Sequence, residues 1–293
     1  YKKSMGTQYP IVLTQSKPPL ATKDLKIRRV DPPRDYEDYF EKTVLLDRVR
    51  EVRALLGFTR VESNGDFADP TPVGDNRETS LCRKPPTWLP VSEVRGEGIF
   101  LRIRESVLQD WETQSAVKAL ESEFLVAHRK WRQLRRLEPD IAGFPGIRYV
   151  LLHSISHSLI RQIALECGYT AASLRERLYC KSVNDEHGPM AGILIYTSAS
   201  DSEGTLGGLV NLGEPSTLGR HIQQALESMR ICASDPLCSE HSATGEGRGI
   251  HGACCHACLF ASETSCEKGN RYLDRNVLGA TFAAKDVEFF RGI

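Results

Sequence analysis

Apolar positions along the chain fall into a few periodic stretches separated by proline and glycine breaks. The first is 36–56, where Tyr39, Phe40, Leu45, Val49, Val52 and Leu56 recur at helical spacing and Gly57 supplies a stop, so a helix is predicted. Around it, Lys17-Pro18-Pro19, Asp31-Pro32-Pro33, Asp69-Pro70-Thr71-Pro72 and Lys84-Pro85-Pro86 break regular structure, and 60–86 reads as a long polar loop.

Denser patterning begins near Leu89. The alternation over 98–104 predicts a short strand, and 106–137 predicts one long helix that ends before Pro139. A second helix is expected over 148–167, with Leu152, Ile155, Leu159 and Ile163 on one face, and a shorter one over 171–178, containing Ser173, Arg175 and Glu176. The apolar, β-branched run 191–197 predicts a buried strand, and 216–230 a further helix. The predicted fold class is therefore mixed α and β, rich in helix, with a C-terminal four-cysteine module. The expected division is an irregular proline-rich segment with one helix over 1–88 and a compact domain over 89–293.

Composition narrows the class. Of 293 residues, 38 are basic and 38 acidic, and 40% are hydrophobic, which excludes disorder throughout the chain. No stretch of roughly 18 apolar residues occurs that would predict a membrane-spanning helix. The sequence opens at Tyr1 with no signal-peptide pattern, and it is expected to be part of a longer protein.

The zero net charge hides an uneven distribution. Arg129, Lys130, Arg132, Arg135 and Arg136 fall in one decade without an acid, with Trp131 among them. This run is a candidate for tracking a nucleic-acid backbone, with the indole as a stacking platform. The bland alternative is a solvated helix face or contact with an acidic partner. Lys26-Ile27-Arg28-Arg29 is a weaker candidate of the same kind.

Cysteine is clustered too: six of nine (Cys232, Cys238, Cys254, Cys255, Cys258 and Cys266) lie within 35 residues. Clustering without a signal sequence points to a reducing, cytoplasmic compartment and a metal. Zinc needs four soft, deprotonated donors, and a C-x-x-C turn places two of them on one side. Cys238, Cys255, Cys258 and Cys266 are the favoured set, with Cys232, Cys254, His241, His251 and His256 as reserves. Four sulfurs leave no open position, so a structural zinc is expected. A thioredoxin-like redox pair is the alternative, but that motif belongs in a βαβ setting that the pattern does not suggest.

His153 and His157, four apart on one helix face, could join Asp201 and Glu203 in a second metal site or a nuclease or other hydrolase centre. Buried hydrogen bonding is the competing explanation, and no nucleophile–base–orienter set is visible. The glycine-rich loop 201–208 lacks the P-loop pattern and carries two acids, so a packed turn suits it better than a phosphate cradle.

Several motifs then occur in a fixed order. They are Val94-Arg-Gly-Glu-Gly-Ile-Phe100, His153-Ser-Ile-Ser-His157 leading into Gly168-Tyr169, Ser173-Leu-Arg-Glu-Arg-Leu-Tyr179, Gly192-Ile-Leu-Ile-Tyr196 and Asp201-Ser-Glu-Gly-Thr-Leu-Gly-Gly208. Asp235-Pro-Leu-Cys238, Cys255-x-x-Cys258, Cys266 and Asn270-Arg-Tyr-Leu-Asp-Arg275 follow. This series resembles the MrfA-type zinc-binding domain, found at the C-terminus of certain DNA repair helicases and in the DrmB-like proteins of the DISARM anti-phage system. The resemblance covers about 89–275, and Cys254 departs from it where a small residue is expected. It implies a zinc held by Cys238, Cys255, Cys258 and Cys266, and a non-motor accessory role beside a helicase-like, DrmA-type partner on DNA. The absence of helicase motifs favours the DrmB-like side of the family.

Overall fold

The computed structural model describes residues 22–55, 57–58, 79–84, 87–168, 170–197, 208–245, 249–283 and 286–292. Its centre is a five-stranded antiparallel sheet in the order β1-β2-β5-β7-β6. The strands are β1 (Leu25–Val30), β2 (Phe40–Ala54), β5 (Val91–Ile103), β6 (Leu174–Lys181) and β7 (Met190–Thr197). A separate two-residue pair joins β3 (Gly57–Phe58) to β4 (Thr79–Ser80). The helices are α1 (Glu105–Glu112), α2 (Ser115–Leu134), α3 (Gly146–Cys167), α4 (Gly208–Leu212) and α5 (Pro215–Arg230). Helix and sheet share the described residues, so helix is less dominant than the sequence suggests. None of the described helices is long and apolar enough to cross a membrane.

Two of the expected helices are strands. Residues expected as a helix over 36–56 instead form β2, in which Phe40 and Leu45 enter the main core while Val44, Leu46 and Val49 enter a second cluster on the other face. A strand buried on both faces shows consecutive apolar residues, and Val44-Leu45-Leu46 mimics helical periodicity for that reason. Pairing of β2 with β5 (Val44 opposite Phe100, Leu45 opposite Ile99) puts chain from either side of residue 89 into one sheet. Likewise, 171–178 is a single 3-10 turn (Ala171–Ser173) followed by β6. Leu174, Glu176 and Leu178 are buried there at a period of two, and Leu174 and Leu178 are spaced so that they also fit a helix.

The helix expected over 106–137 is two helices, α1 and α2, because Gln114 turns to extended backbone between them. The strand expected over 98–104 belongs to the longer β5. The helices expected over 148–167 and 216–230 and the strand over 191–197 appear as α3, α5 and β7, within a residue or two.

α3 is the axis of the fold. Residues 147–160 are buried on every side, including His153, Ser154, Ser156, His157 and Ser158. A helix buried all round must satisfy its polar side chains within the protein, which makes those residues informative. The helix ends at Gly168, which takes a left-handed conformation (φ 66°) that costs glycine little. At the chain's far end, Phe289 and Phe290 pack on Trp111, Tyr39 and Tyr36, and the Trp111 indole donates to the Val287 carbonyl at 2.9 Å.

Candidate metal centre

Four sulfurs meet where α5 ends. Cys232 follows the helix directly, Cys238 sits in the 3-10 turn Pro236–Glu240, and Cys255 and Cys258 form the C-x-x-C turn. The Asp235 side chain caps the Cys238 turn by accepting from the Leu237 N–H at 3.0 Å. The sulfurs of Cys232 and Cys255 are 3.5 Å apart, those of Cys238 and Cys258 3.7 Å, and those of Cys255 and Cys258 3.7 Å. All four lie within 4.8 Å of one another.

Those separations fit one ion. A tetrahedron with zinc–sulfur bonds of about 2.3 Å has edges of about 3.8 Å, whereas a disulfide would bring sulfurs to about 2 Å. Burial pushes the Cys238 thiol up to about 11 and Cys258 higher still. Burial would also raise Cys232, but backbone N–H groups of Ser234 and Asp235 bring it below its ordinary value. A divalent cation resolves the cost of packing four such groups together by replacing their protons.

The surroundings hold the turn in place. Arg161 on α3 donates to the carbonyls of Ala257 (2.6 Å) and Phe260 (3.1 Å), clamping the C-x-x-C loop onto the helix axis. The Asn270–Arg275 motif runs alongside 250–254. Tyr272 N donates to Ile250 O, Gly252 N to Leu273 O and Arg275 N to Ala253 O, at 2.6, 2.9 and 3.0 Å. Gly252 is required by this close approach, because a Cβ there would lie 2.2 Å from an Asp274 carboxylate oxygen. Arg275 is buried and donates to the Met229 carbonyl near the end of α5.

Three of the four sulfurs favoured from the sequence, Cys238, Cys255 and Cys258, are brought together, but the fourth is Cys232. Cys266 lies elsewhere, in a group with His153, His157 and Glu176. The reason is the fold: α5 delivers Cys232 to the C-x-x-C turn, while the loop after Cys258 carries Cys266 back beneath α3. Of the remaining reserves, Cys254 is buried with its thiol against the Leu273 carbonyl. His251 and His256 meet Phe260 edge-to-face, and His241 lies 3.6 Å from Asp235.

In the second group His153, His157 and Glu176 are buried and Cys266 is half-buried. His153 Nε2 is 3.0 Å from Glu176 Oε1 and 3.1 Å from Cys266 Sγ, and His157 Nε2 is 3.5 Å from Glu176 Oε1. Burial would lower both histidines, but Glu176 and Cys266 hold His153 well above its ordinary value, and Glu176 brings His157 up to about 9. Burial would raise Glu176 and Cys266, but the two imidazoles hold the carboxyl well below its ordinary range and the thiol down to about 6. Asp201 and Glu203, the acids expected to join these histidines, lie outside the described residues, as does most of the loop 201–208. With both rings fully buried, the described residues give this pair no open face for a hydrolase substrate.

Sequence reasoning placed Glu176 on a helix and so missed its position. Pairing sets Leu45, Ile99, Ile195 and Glu176 in one row across the core face of the sheet, so a carboxylate ends an otherwise apolar row beneath α3. A charge inside the alternation of Leu174 and Leu178 was the available signal. Glu97 was missed as well: buried on β5, its carboxylate accepts from the N–H groups of Leu209 (3.0 Å) and Val210 (3.3 Å) at the start of α4.

The basic run divides. Arg129, Lys130 and Arg136 are exposed and Arg135 is half-buried. Arg132 is fully buried, donating from Nε to the Pro139 carbonyl at 3.0 Å, so it is not placed to meet a phosphate. Trp131 is also buried, with the guanidinium groups of Arg135 and Arg271 against its ring at 4.2 and 4.6 Å, so it is not a free stacking platform. Of the weaker cluster, Lys26 and Arg28 pair with Asp47, and Arg28 also with Glu214.

Residues 155–259 match the family described as the MrfA Zn-binding domain. Over 267 residues, 89% of its length, the chain is 36% identical to the DISARM protein DrmB of Bacillus paralicheniformis. The chain spans 45% of that relative's length. A crystal structure of the DUF1998 helicase MrfA bound to DNA aligns with 72% of the chain and 21% of its own, at 11% identity and a TM-score of 0.33, an overlap too slight to carry an argument. The family match and the four-sulfur cluster, buried except at Cys255, together establish that this DrmB-similar chain carries a zinc-binding domain of the MrfA type, with the zinc in a structural role.

Proposed function

We propose that the chain belongs to a non-motor subunit of a DISARM-like anti-phage complex, works in the cytoplasm beside a helicase-like, DrmA-type translocase, and helps that partner engage or gate DNA. The observation that carries this reading is the similarity to DrmB along nearly the whole chain, joined to the MrfA-type zinc domain. In this reading Cys232, Cys238, Cys255 and Cys258 hold the zinc. The ion ties α5 to the C-terminal loops and contributes to folding rather than to chemistry. Arg129, Lys130 and Arg136, with Arg135 beside them, form the surface offered to a phosphate backbone. Thiols held this closely without disulfides suit a reducing compartment.

Affinity purification of the full-length protein from its native host, followed by mass spectrometry, tests the reading. A helicase-like protein recovered in stoichiometric amount is the expected result. A protein that emerges alone, with zinc bound and fold intact, overturns the partnership.

A further inference from the structure

The group beneath α3 has the makings of a metal site of its own. His153 Nδ1 faces the Tyr272 carbonyl at 3.3 Å and His157 Nδ1 faces the Leu259 carbonyl at 3.0 Å. Those contacts place the ring N–H on Nδ1 in both histidines and leave both Nε2 lone pairs directed inward. They converge on Glu176 Oε1 and Cys266 Sγ, so four acceptors share one space, in which only Cys266 is partly exposed.

The acceptors are themselves oriented as ligands commonly are. Cys266 Sγ receives the backbone N–H groups of Lys268 (3.4 Å) and Asn270 (3.2 Å), and Glu176 Oε1 receives that of Glu267 (3.1 Å). Two buried atoms nonetheless lack a hydrogen bond among the described residues: His157 Nε2 and Glu176 Oε2. Buried polar atoms without partners are uncommon, and here they sit in the same group as the converging lone pairs.

We propose that His153, His157, Glu176 and Cys266 form a second metal site, which takes zinc or a similar borderline divalent cation. Tetrahedral bonds of about 2.0 Å to nitrogen and oxygen and 2.3 Å to sulfur give ligand separations of about 3.3–3.6 Å. The separations observed, 3.0, 3.1 and 3.5 Å, approach that range. A divalent ion also balances one carboxylate and one thiolate bound with two neutral imidazoles, removing the cost of burying two anions. The mixed nitrogen, oxygen and sulfur set suits zinc over magnesium or calcium. With four protein ligands, all but Cys266 buried, the site keeps no open coordination position, and its role is to fasten β6 and the Cys266 loop to α3.

The test is metal content per chain in the intact protein, purified without added metal and again after equilibration with zinc. Wild type is compared with Cys266→Ser, His157→Gln and Cys232→Ser. The proposal expects Cys266→Ser and His157→Gln each to hold one equivalent less than wild type. The soluble fraction of Cys232→Ser, small as it is expected to be, reports on the four-sulfur site separately, so failure of one assignment does not hide the other. Equal metal in wild type and both variants overturns the second site and leaves a proton-bearing ion-pair network in its place. Should the variants fail to fold, cobalt-substituted wild type decides. Sulfur-to-metal charge transfer from five thiolates supports the proposal, and from four overturns it.

Discussion

His153 Nε2 lies 3.1 Å from Cys266 Sγ, across 113 residues of chain. This contact takes Cys266 out of the cysteine cluster that its spacing suggests and leaves Cys232 to complete the four-sulfur group. Cys232→Ser is therefore expected to cost far more than Cys254→Ser, although both residues are buried. Zinc in small modules is linked to roughly 10 kcal/mol or more of folding free energy, so Cys232→Ser should be recovered mainly as insoluble protein. Soluble yield and bound zinc for the two variants check this.

Which parts of this arrangement the sequence disclosed follows from the reach of each signal. The C-x-x-C pair is local, and a three-residue spacing is enough to place two sulfurs together. Whether Cys232 or Cys266 completes the site depends on the direction in which α5 and the loop after Cys258 run, which spacing along the chain does not contain. α3 and β7 were legible because their apolar runs have one simple explanation. β2 and β6 were not, since Val44-Leu45-Leu46 and the Leu174/Leu178 pair satisfy helical and extended periods alike. The basic run was visible as charge, but burial of Arg132 and Trp131 becomes apparent only when α2 is packed against the chain that follows it.

Chelation should lower thermal stability without first abolishing secondary structure. α3 and the sheet bury a large apolar core that needs no metal, while the loops 231–275 depend on it. The expected outcome with a strong chelator is a lower Tm and early loss of hydrogen-exchange protection in 231–275, restored by zinc. Uniform loss of protection across β5 and β7 at the same chelator concentration would contradict it.

Gly252→Ala is expected to destabilise the fold by about 1–3 kcal/mol, because the new methyl group meets the Asp274 carboxylate. Gly279→Ala serves as the control, since a Cβ there has nothing within 4 Å. Denaturant midpoints for the two variants measure the difference.

Arg148, nearly buried at the start of α3, donates to Glu105 and Glu112 at 2.6–3.1 Å and to the Lys181 carbonyl at 2.8 Å. Burial would lower its pKa, but the two carboxylates raise it far above the ordinary value, so it stays charged. Removing it leaves two carboxylates facing each other. Arg148→Ala should cost about 3–5 kcal/mol by chemical denaturation.

Charge reversal separates the exposed bases from the buried one. Arg129→Glu, Lys130→Glu and Arg136→Glu together should weaken DNA binding by the complex about equally for all sequences and flatten its salt dependence, with the fold intact. Arg132→Glu should instead unfold the end of α2, and its DNA affinity would report only that loss. Unchanged affinity in the triple variant would remove these bases from any DNA surface.

The assignment on which the rest depends is the four-sulfur zinc centre. Anomalous scattering from crystals of the protein on the two sides of the zinc absorption edge locates the metal directly. A peak is expected at the centre of Cys232, Cys238, Cys255 and Cys258. No peak there, or one bounded by Cys238, Cys255, Cys258 and Cys266, would contradict it.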